Sequence, residues 1–289
     1  MKPWLELCGL SLAAWCNALG AEGSNMPDKS RYALLNPAPR EWMREMSTDR
    51  PDKTESPYTV DAGHFQVEAD ILSYAYDRHN TDFSNTRVEG VSIAPLNLKV
   101  GLCNSVDLQL VIETYTSIRV HHVSTGTVEK NRGFGDISPR LKWNLWGNDG
   151  GSTALALLPF AKLPTNQDDL GNDSVEGGLI VPLSVALPFD WSMGVMSEVD
   201  FIRDSLGSGY HAEFINSITF GHELCADLAG YVEFFSLVSA EGGSDWIGTV
   251  DIGLTYALTD DIQLDGGVNL GVTRSADDIN PFLGLSWRF

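Results

Sequence analysis

The chain has little positive charge, with 19 Lys and Arg against 39 Asp and Glu, a formal charge of -20 over 289 residues. A nucleic-acid binder needs a basic face, so that class is excluded. Long apolar runs are missing too: nothing approaches the ~20 residues of a transmembrane helix, so no helical membrane bundle is expected. Cysteine is sparse, with 4 in the chain and no C-x-x-C or His/Cys spacing, so neither a zinc site nor any other metal centre is expected. Aromatics, at 10%, and 28 Gly are too many for a disordered acidic tail. No cofactor fingerprint is present.

Residues 1–20 carry one early Lys2, a short apolar stretch and the small residues Ala18, Gly20 and Ala21 at its end. That order suits a secretory signal peptide cleaved after Gly20. Residues 21–60 are polar and punctuated by Pro27, Pro37, Pro39, Pro51 and Pro57. They read as a periplasmic N-terminal segment, with a short helix over 40–46 opened by Pro39. Whether this segment tucks into a lumen or trails as a leader is left open by its sequence. Removal of the signal leaves Cys103 and Cys225, which fall about six strands apart and are expected to be free thiols.

From residue 61 onward the pattern repeats every two residues. Ile279, Pro281, Leu283, Leu285, Trp287 and Phe289 fall on one face of the last segment, and Asn280, Phe282, Gly284, Ser286 and Arg288 on the other. Repeating the exercise over 61–289 gives about twelve strands, from 63–77 through 87–102, 105–120 and 134–146 to 278–289. Connections alternate between short (103–104, 188–189, 222–223) and longer (121–133, 165–174). Short turns at one end and long loops at the other predict an all-β, antiparallel, up-and-down transmembrane barrel, with short periplasmic turns and longer outer loops. A secreted β-sandwich shares the alternation but not the loop asymmetry or the aromatic strand ends Trp143, Trp146, Trp191 and Trp246. The expected location is the bacterial outer membrane, with its lipid as surroundings. The terminal Phe289, with Trp287, is similar to the sorting signal read by the outer-membrane barrel assembly machinery.

Three blocks carry a family resemblance: STDRPDKTESPYTVDAGHFQVEAD at 47–70, GFGDISPRLKWNLWG at 133–147 and LLPFAKLPTN at 157–166, with the closing run 255–289. On these the chain resembles the outer-membrane "transporter" family labelled for the meta-pathway of phenol degradation, over residues 47–289. The resemblance implies a barrel and passage of small solutes, aromatic ones among them, and brings no catalytic residues with it.

With the apolar face toward lipid, the inward face is rich in acids. Pairing the seventh and eighth strands about the 205–208 loop sets Asp200 opposite Glu213, and the next turns bring Glu233 and Asp251 to a similar level. These four form an expected pore-lining acidic wall that favours cations. Arg140 and Lys142 form an expected basic wall across the lumen, and Lys162 is expected to pair with Asp136. Inward Tyr74, Tyr76, Tyr115, Tyr231 and Phe235 could seal the lumen or line a path for aromatic solutes.

Catalysis is not expected. Ser197 falls opposite Asn216 on the outward face, as in barrel lipases, but His222 lies roughly 20 Å along the strand, too far for a Ser–His bond. The reading is therefore a passive channel or facilitator for small molecules. A structural or adhesive barrel with a closed lumen is the alternative, and an outer-membrane lipase comes third.

Overall fold

The computed structural model describes residues 28–80 and 86–289. The expected signal peptide, 1–20, lies outside the described residues. The first ordered elements are β1 (Phe65–Asn80), β2 (Thr86–Ile93), β3 (Leu96–Cys103), β4 (Val106–Ile112) and β5 (Tyr115–His121). They are followed by β6 (Val128–Gly133), β7 (Ile137–Trp146), β8 (Thr153–Lys162), β9 (Glu176–Ala186) and β10 (Trp191–Arg203). The remainder are β11 (Tyr210–Cys225), β12 (Leu228–Ser239), β13 (Ile247–Thr259), β14 (Ile262–Gly271) and β15 (Ile279–Arg288). Three neighbouring pairs, β2–β3, β4–β5 and β6–β7, are single wall strands interrupted midway, so the 15 segments make a 12-stranded wall. β1 pairs with β15, Gln66 opposite Arg288, and the sheet closes on itself. Closure removes the edges that lipid could not satisfy.

What is inside and what is outside are inverted relative to a soluble protein. The largest fully buried side chains include Lys142, Gln66, Gln109, Glu233, Asp107 and Asp251. Exposed instead are Phe65, Leu108, Phe214, Val232, Ile252 and Leu283, which form an outward apolar belt. Trp191 and Trp287 edge that belt at the end of the short turns, and Tyr210 and Trp246 edge it at the long-loop end. Only a lipid solvent makes this arrangement favourable, and the sandwich is thereby rejected. The protein is an outer-membrane β-barrel.

The three interruptions fall at one level. Ile93 faces Tyr115 above the break and Leu96 faces Ile112 below it. On the next strand Thr116 faces Gly133 above and Ile112 faces Ile137 below. Ala94 adopts φ 54°, Pro95 cannot donate to the ladder, and Thr114 Oγ1 donates to the carbonyls of Ile93 and Ala94 at 2.6 and 2.8 Å. The result is a crease across the wall that lets β2, β5 and β6 depart from the barrel's course.

The GFGD and LPTN blocks meet at the end of this crease. Asp136 Oδ1 accepts from the backbone N–H groups of Thr165 and Asn166, at 2.9 and 3.0 Å, and from Asn166 Nδ2 at 2.9 Å. Gly135 lies against the Glu113 side chain, where a Cβ would not fit. The two blocks are the two halves of one loop anchor.

Two expectations are corrected. Over 40–46 only Arg40–Trp42 forms a single 3-10 turn, because Pro39 offers no side-chain cap and the Arg44 N–H is taken by Asp61 Oδ2 at 3.0 Å. Cys103 is disulfide-bonded rather than free, whereas Cys225 is a free, exposed thiol as expected.

Candidate functional site: the occupied lumen

Residues 28–64 begin beneath the short-turn end and enter the barrel. Their base is a small cluster of Tyr32, Ala38 and Ala62 with Trp42 packed against it. Ala33 forms a β-bridge to Cys103, and the Leu34 N–H donates to the Leu102 carbonyl at 3.0 Å. Lys29 lies 3.0 Å from both Asp61 and Asp149, and Arg44 donates to Asn104 and Asp149 at 2.9 Å. Asp149 sits in the turn between β7 and β8. Burial pushes its carboxyl up, but Arg44, Asn104 and Lys29 outweigh this and hold it below the usual 3.8.

Above the base, residues 47–56 form a loop whose neck is closed by the Ser47 and Ser56 hydroxyls, 2.7 Å apart. The loop carries charges of both signs, and wall residues of opposite charge meet Asp49, Arg50, Lys53 and Glu55, whereas Asp52 has no ion-pair partner among the described residues. Asp49 pairs with Lys142 at 2.5 Å and also with Lys99, which Glu68 shares. Arg50 meets Asp265 at 2.7 Å and Asp70 at 2.8 Å. Lys53 reaches Asp251 at 3.0 Å and lies 4.5 Å from the Phe235 ring centroid. Glu55 accepts from Arg140 at 2.5 Å. Thr54 donates to Glu233 at 2.5 Å, and its hydroxyl lies 2.6 Å from that of Ser217.

The chain then returns toward the short-turn end. Asn144 Nδ2 donates to the Pro57 carbonyl at 2.9 Å, and the Val60 N–H donates to Asp107 Oδ2 at 3.0 Å. At Gly101 the Asp61 backbone rests directly on the wall, a space that any Cβ would occupy.

The expected pairings hold, with Asp200 facing Glu213 and Glu233 facing Asp251, but the four are not at one level: Glu213 pairs with Ser239, and Glu233 with Thr219, six residues farther along β11. Their surroundings differ from an open pore. Glu233, Asp251, Arg140 and Lys142 are partners of the inserted loop, so the two walls do not face each other across water. Asp200 and Glu213 stay apart from it, and neither makes an ion pair with Lys or Arg among the described residues. Lys162 lies 3.7 Å from Asp136, as expected, and closer to Glu176 at 3.0 Å. Of the inward aromatics, Tyr231 is buried and Phe235 lies under Lys53, while Tyr115 is exposed beyond the crease.

Sequence reasoning missed Asp49, Arg50, Lys53 and Glu55, and with them the roles of Lys99, Glu68, Asp70 and Asp265. A signal was available: a run of alternating charge, DRPDKTE at 49–55, precedes a barrel whose inward positions are charged.

On the long-loop side of the inserted loop lies a cavity of about 280 Å³. Asp49 to Lys53 and Glu55 form its floor, and Asn97, Arg140, Asn269, Asn280 and Phe282 are among its walls. Pro95 and Leu96 bring the crease into its lining.

On the outward face Ser197 Oγ donates to Asn216 Oδ1 at 2.8 Å. His222 is held six positions away, stacked on Trp191 at 4.6 Å with Nδ1 3.2 Å from the Asp190 carbonyl. At the chain's end, Phe289 stacks on Phe65 at 5.8 Å and touches Trp287 at 4.9 Å, on the seam where β15 meets β1.

A family model described as "Putative MetA-pathway of phenol degradation" matches residues 48–289. No curated protein sequence matches significantly. Among solved structures, the NanC porin is similar with a TM-score of 0.50 and 13% identity, over 77% of this chain and 98% of that one. CymD, a monoaromatic hydrocarbon channel, gives 0.46 and 9%, over 78% and 87%. The Ralstonia pickettii toluene transporter TbuX gives 0.44 and 9%, over 78% and 89%. At these identities the likeness is one of fold.

Proposed function

This chain belongs to the MetA-pathway phenol-degradation family, and from that premise we propose that it is an outer-membrane channel for passive diffusion of small molecules, closed by its own N-terminal segment. The observation that carries this reading is the docking of residues 47–56 inside a charged lumen. A barrel with a purely mechanical role would be sealed as well by apolar or bulky wall residues, at lower desolvation cost. Here the ion pairs and hydrogen bonds between loop and wall are ones that water can replace when the loop withdraws. The plug is therefore removable.

Solute enters from the long-loop side and rests in the chamber above the plug. That chamber is lined by Arg50, Arg140, three Asn and several acids, with Phe282, Leu96, Val111 and Pro95 as its apolar part. Such a lining suits a small solute with a hydroxyl or other hydrogen-bonding group on a flat apolar body better than a bare hydrocarbon. Asp200 and Glu213, unpaired with Lys or Arg, bias the path toward cations and neutral solutes over anions. Phe289 and Trp287, exposed at the closing seam, serve the assembly machinery as its recognition end.

The test is single-channel conductance of the mature chain beside a variant lacking residues 28–60, both shown to be folded by heat-modifiable migration. Conductance that is rare in the full chain and sustained, with cation preference, in the deletion supports the plugged channel. A folded deletion variant that stays silent overturns it in favour of the structural or adhesive barrel.

A further inference from the structure

Away from the plug, at the long-loop end, three segments bring metal-binding side chains together. Asp204 opens the 204–209 loop, His211 follows it on β11, and Glu241 comes from the 240–246 loop. One ligand atom from each lies within 4.8 Å of the others. His211 Nδ1 is 3.1 Å from Asp204 Oδ1, and Nε2 is 3.6 Å from Glu213 Oε1. Glu241 uses one oxygen, Oε1, to accept from the Ser205 backbone N–H and hydroxyl, both at 2.7 Å. That pair of bonds orients the carboxylate toward the other loop. The nearest cation on the same wall, Arg203, is turned away and donates to the carbonyls of Ser208 and Gly207 at 2.7 and 3.2 Å.

Three carboxylates thus surround one imidazole, with no Lys or Arg ion-paired to any of them among the described residues. Beneath them Asp200, 8% exposed, lies directly opposite Glu213 and adds a further carboxylate to the same wall, its Oδ1 turned toward Gly178 of β9.

The geometry points to a binding site for a divalent transition-metal ion of the zinc class, formed by His211, Asp204 and Glu241 with Glu213 alongside, which clasps two outer loops at the barrel mouth. An imidazole with carboxylates suits zinc-class ions, whereas Ca²⁺ and Mg²⁺ take oxygen-only sets. Ligand atoms around such an ion lie ~3.5 Å apart for bonds of about 2.1 Å. The His211 Nδ1–Asp204 Oδ1 hydrogen bond, at 3.1 Å, is close to that distance, and side-chain rotation that opens it slightly and brings in Glu241 completes the set. A bound ion would fasten the 204–209 loop to the 240–246 loop, and so control access to the acidic wall beneath. This does not depend on the barrel being a plugged channel, because it concerns loops outside the lumen.

The experiment is titration of the refolded full chain with Zn²⁺ by calorimetry, and with Co²⁺ by visible absorption, beside Mg²⁺ and Ca²⁺. Variants are His211→Ala, Glu241→Gln and, as a control for the other loop histidines, His121→Ala with His122→Ala. Expected are one equivalent of Zn²⁺ with a Co²⁺ ligand-field band, affinity at least about tenfold weaker in each site variant, and no change in the control. Absence of saturable Zn²⁺ binding overturns the proposal. So does unchanged binding in both His211→Ala and Glu241→Gln, or loss of binding in the His121/His122 control.

Discussion

Replacing Asp49 with Asn removes one charge from the centre of the plug and leaves its shape nearly intact. In the docked state Asp49 is, among the described residues, the ion-pair partner within 4.0 Å of Lys142, whose side chain is wholly buried opposite Asp107, and it shares Lys99 with Glu68. Removing one partner of a buried pair costs about 3–5 kcal/mol, because the other charge is stranded out of water. When the plug is withdrawn, water fills the lumen and hydrates Lys142 whether or not Asp49 is present. The penalty therefore falls on the closed state alone. At 1.4 kcal/mol per factor of ten, D49N should raise the open-to-closed ratio by roughly two to three and a half orders of magnitude. Planar-bilayer recording reads this directly as open probability. The double variant D49N/K142M removes the stranded ammonium and should restore most of the closure, a non-additivity that loss of packing would not produce. A folded D49N barrel with wild-type open probability would show that this buried pair does not hold the plug, and the reasoning would fail.

Three further outcomes are expected. Thr54→Cys with Ser217→Cys, whose native hydroxyls are 2.6 Å apart, should form a disulfide under oxidation that abolishes channel openings; a reductant should restore them. A cross-linked barrel that still conducts would mean the path bypasses the plug tip. Asp136→Ala removes three hydrogen bonds to the 163–175 loop, each worth about 1.5–3 kcal/mol for a charged acceptor. Limited proteolysis should then cut that loop many-fold faster while the barrel persists, and unchanged cleavage would refute its anchoring role. Asp149 is held below its ordinary 3.8 in the folded protein, so its contribution to the plug's base is complete above that pH and is lost as pH falls through the depressed value. Acid proteolysis of residues 28–46 should rise over that interval in the wild type more steeply than in Asp149→Asn; parallel curves would exclude Asp149 as the acid-sensitive group.

The wall was legible because a membrane strand states its register in every second residue. Asp200 opposite Glu213 followed from one loop length, and the inversion of Lys142 and Asp251 to the interior followed from the apolar belt on the other face. The three interrupted strands were less visible. Ala94–Pro95 is a break signal, but Glu113–Thr114 is ordinary strand sequence, and only its cross-strand neighbours force the crease there. The plug was illegible in conformation, since DRPDKTE at 49–55 has no period and no apolar side to orient it. Its position depends on matching charges from distant strands, information spread over the whole chain. The expected acidic and basic walls facing each other across the lumen were displaced for the same reason: Glu233, Asp251, Arg140 and Lys142 have partners in the inserted segment.

That dispersal bears on biogenesis. Arg50 is hydrogen-bonded to a residue 215 positions later, and Lys53 to one 196 positions later. The plug is synthesised before any strand of the wall, yet its contacts exist only after the last strands have been laid in and the seam between Phe65 and Phe289 has closed. Such contacts of extreme sequence separation form late. On the proposed plugged-channel reading, maturation ends with the segment threading into the barrel, and a newly closed barrel leaks until the segment is seated. A cell making this protein in quantity would bear a transient permeability proportional to the rate of synthesis and to the time the segment takes to find its seat.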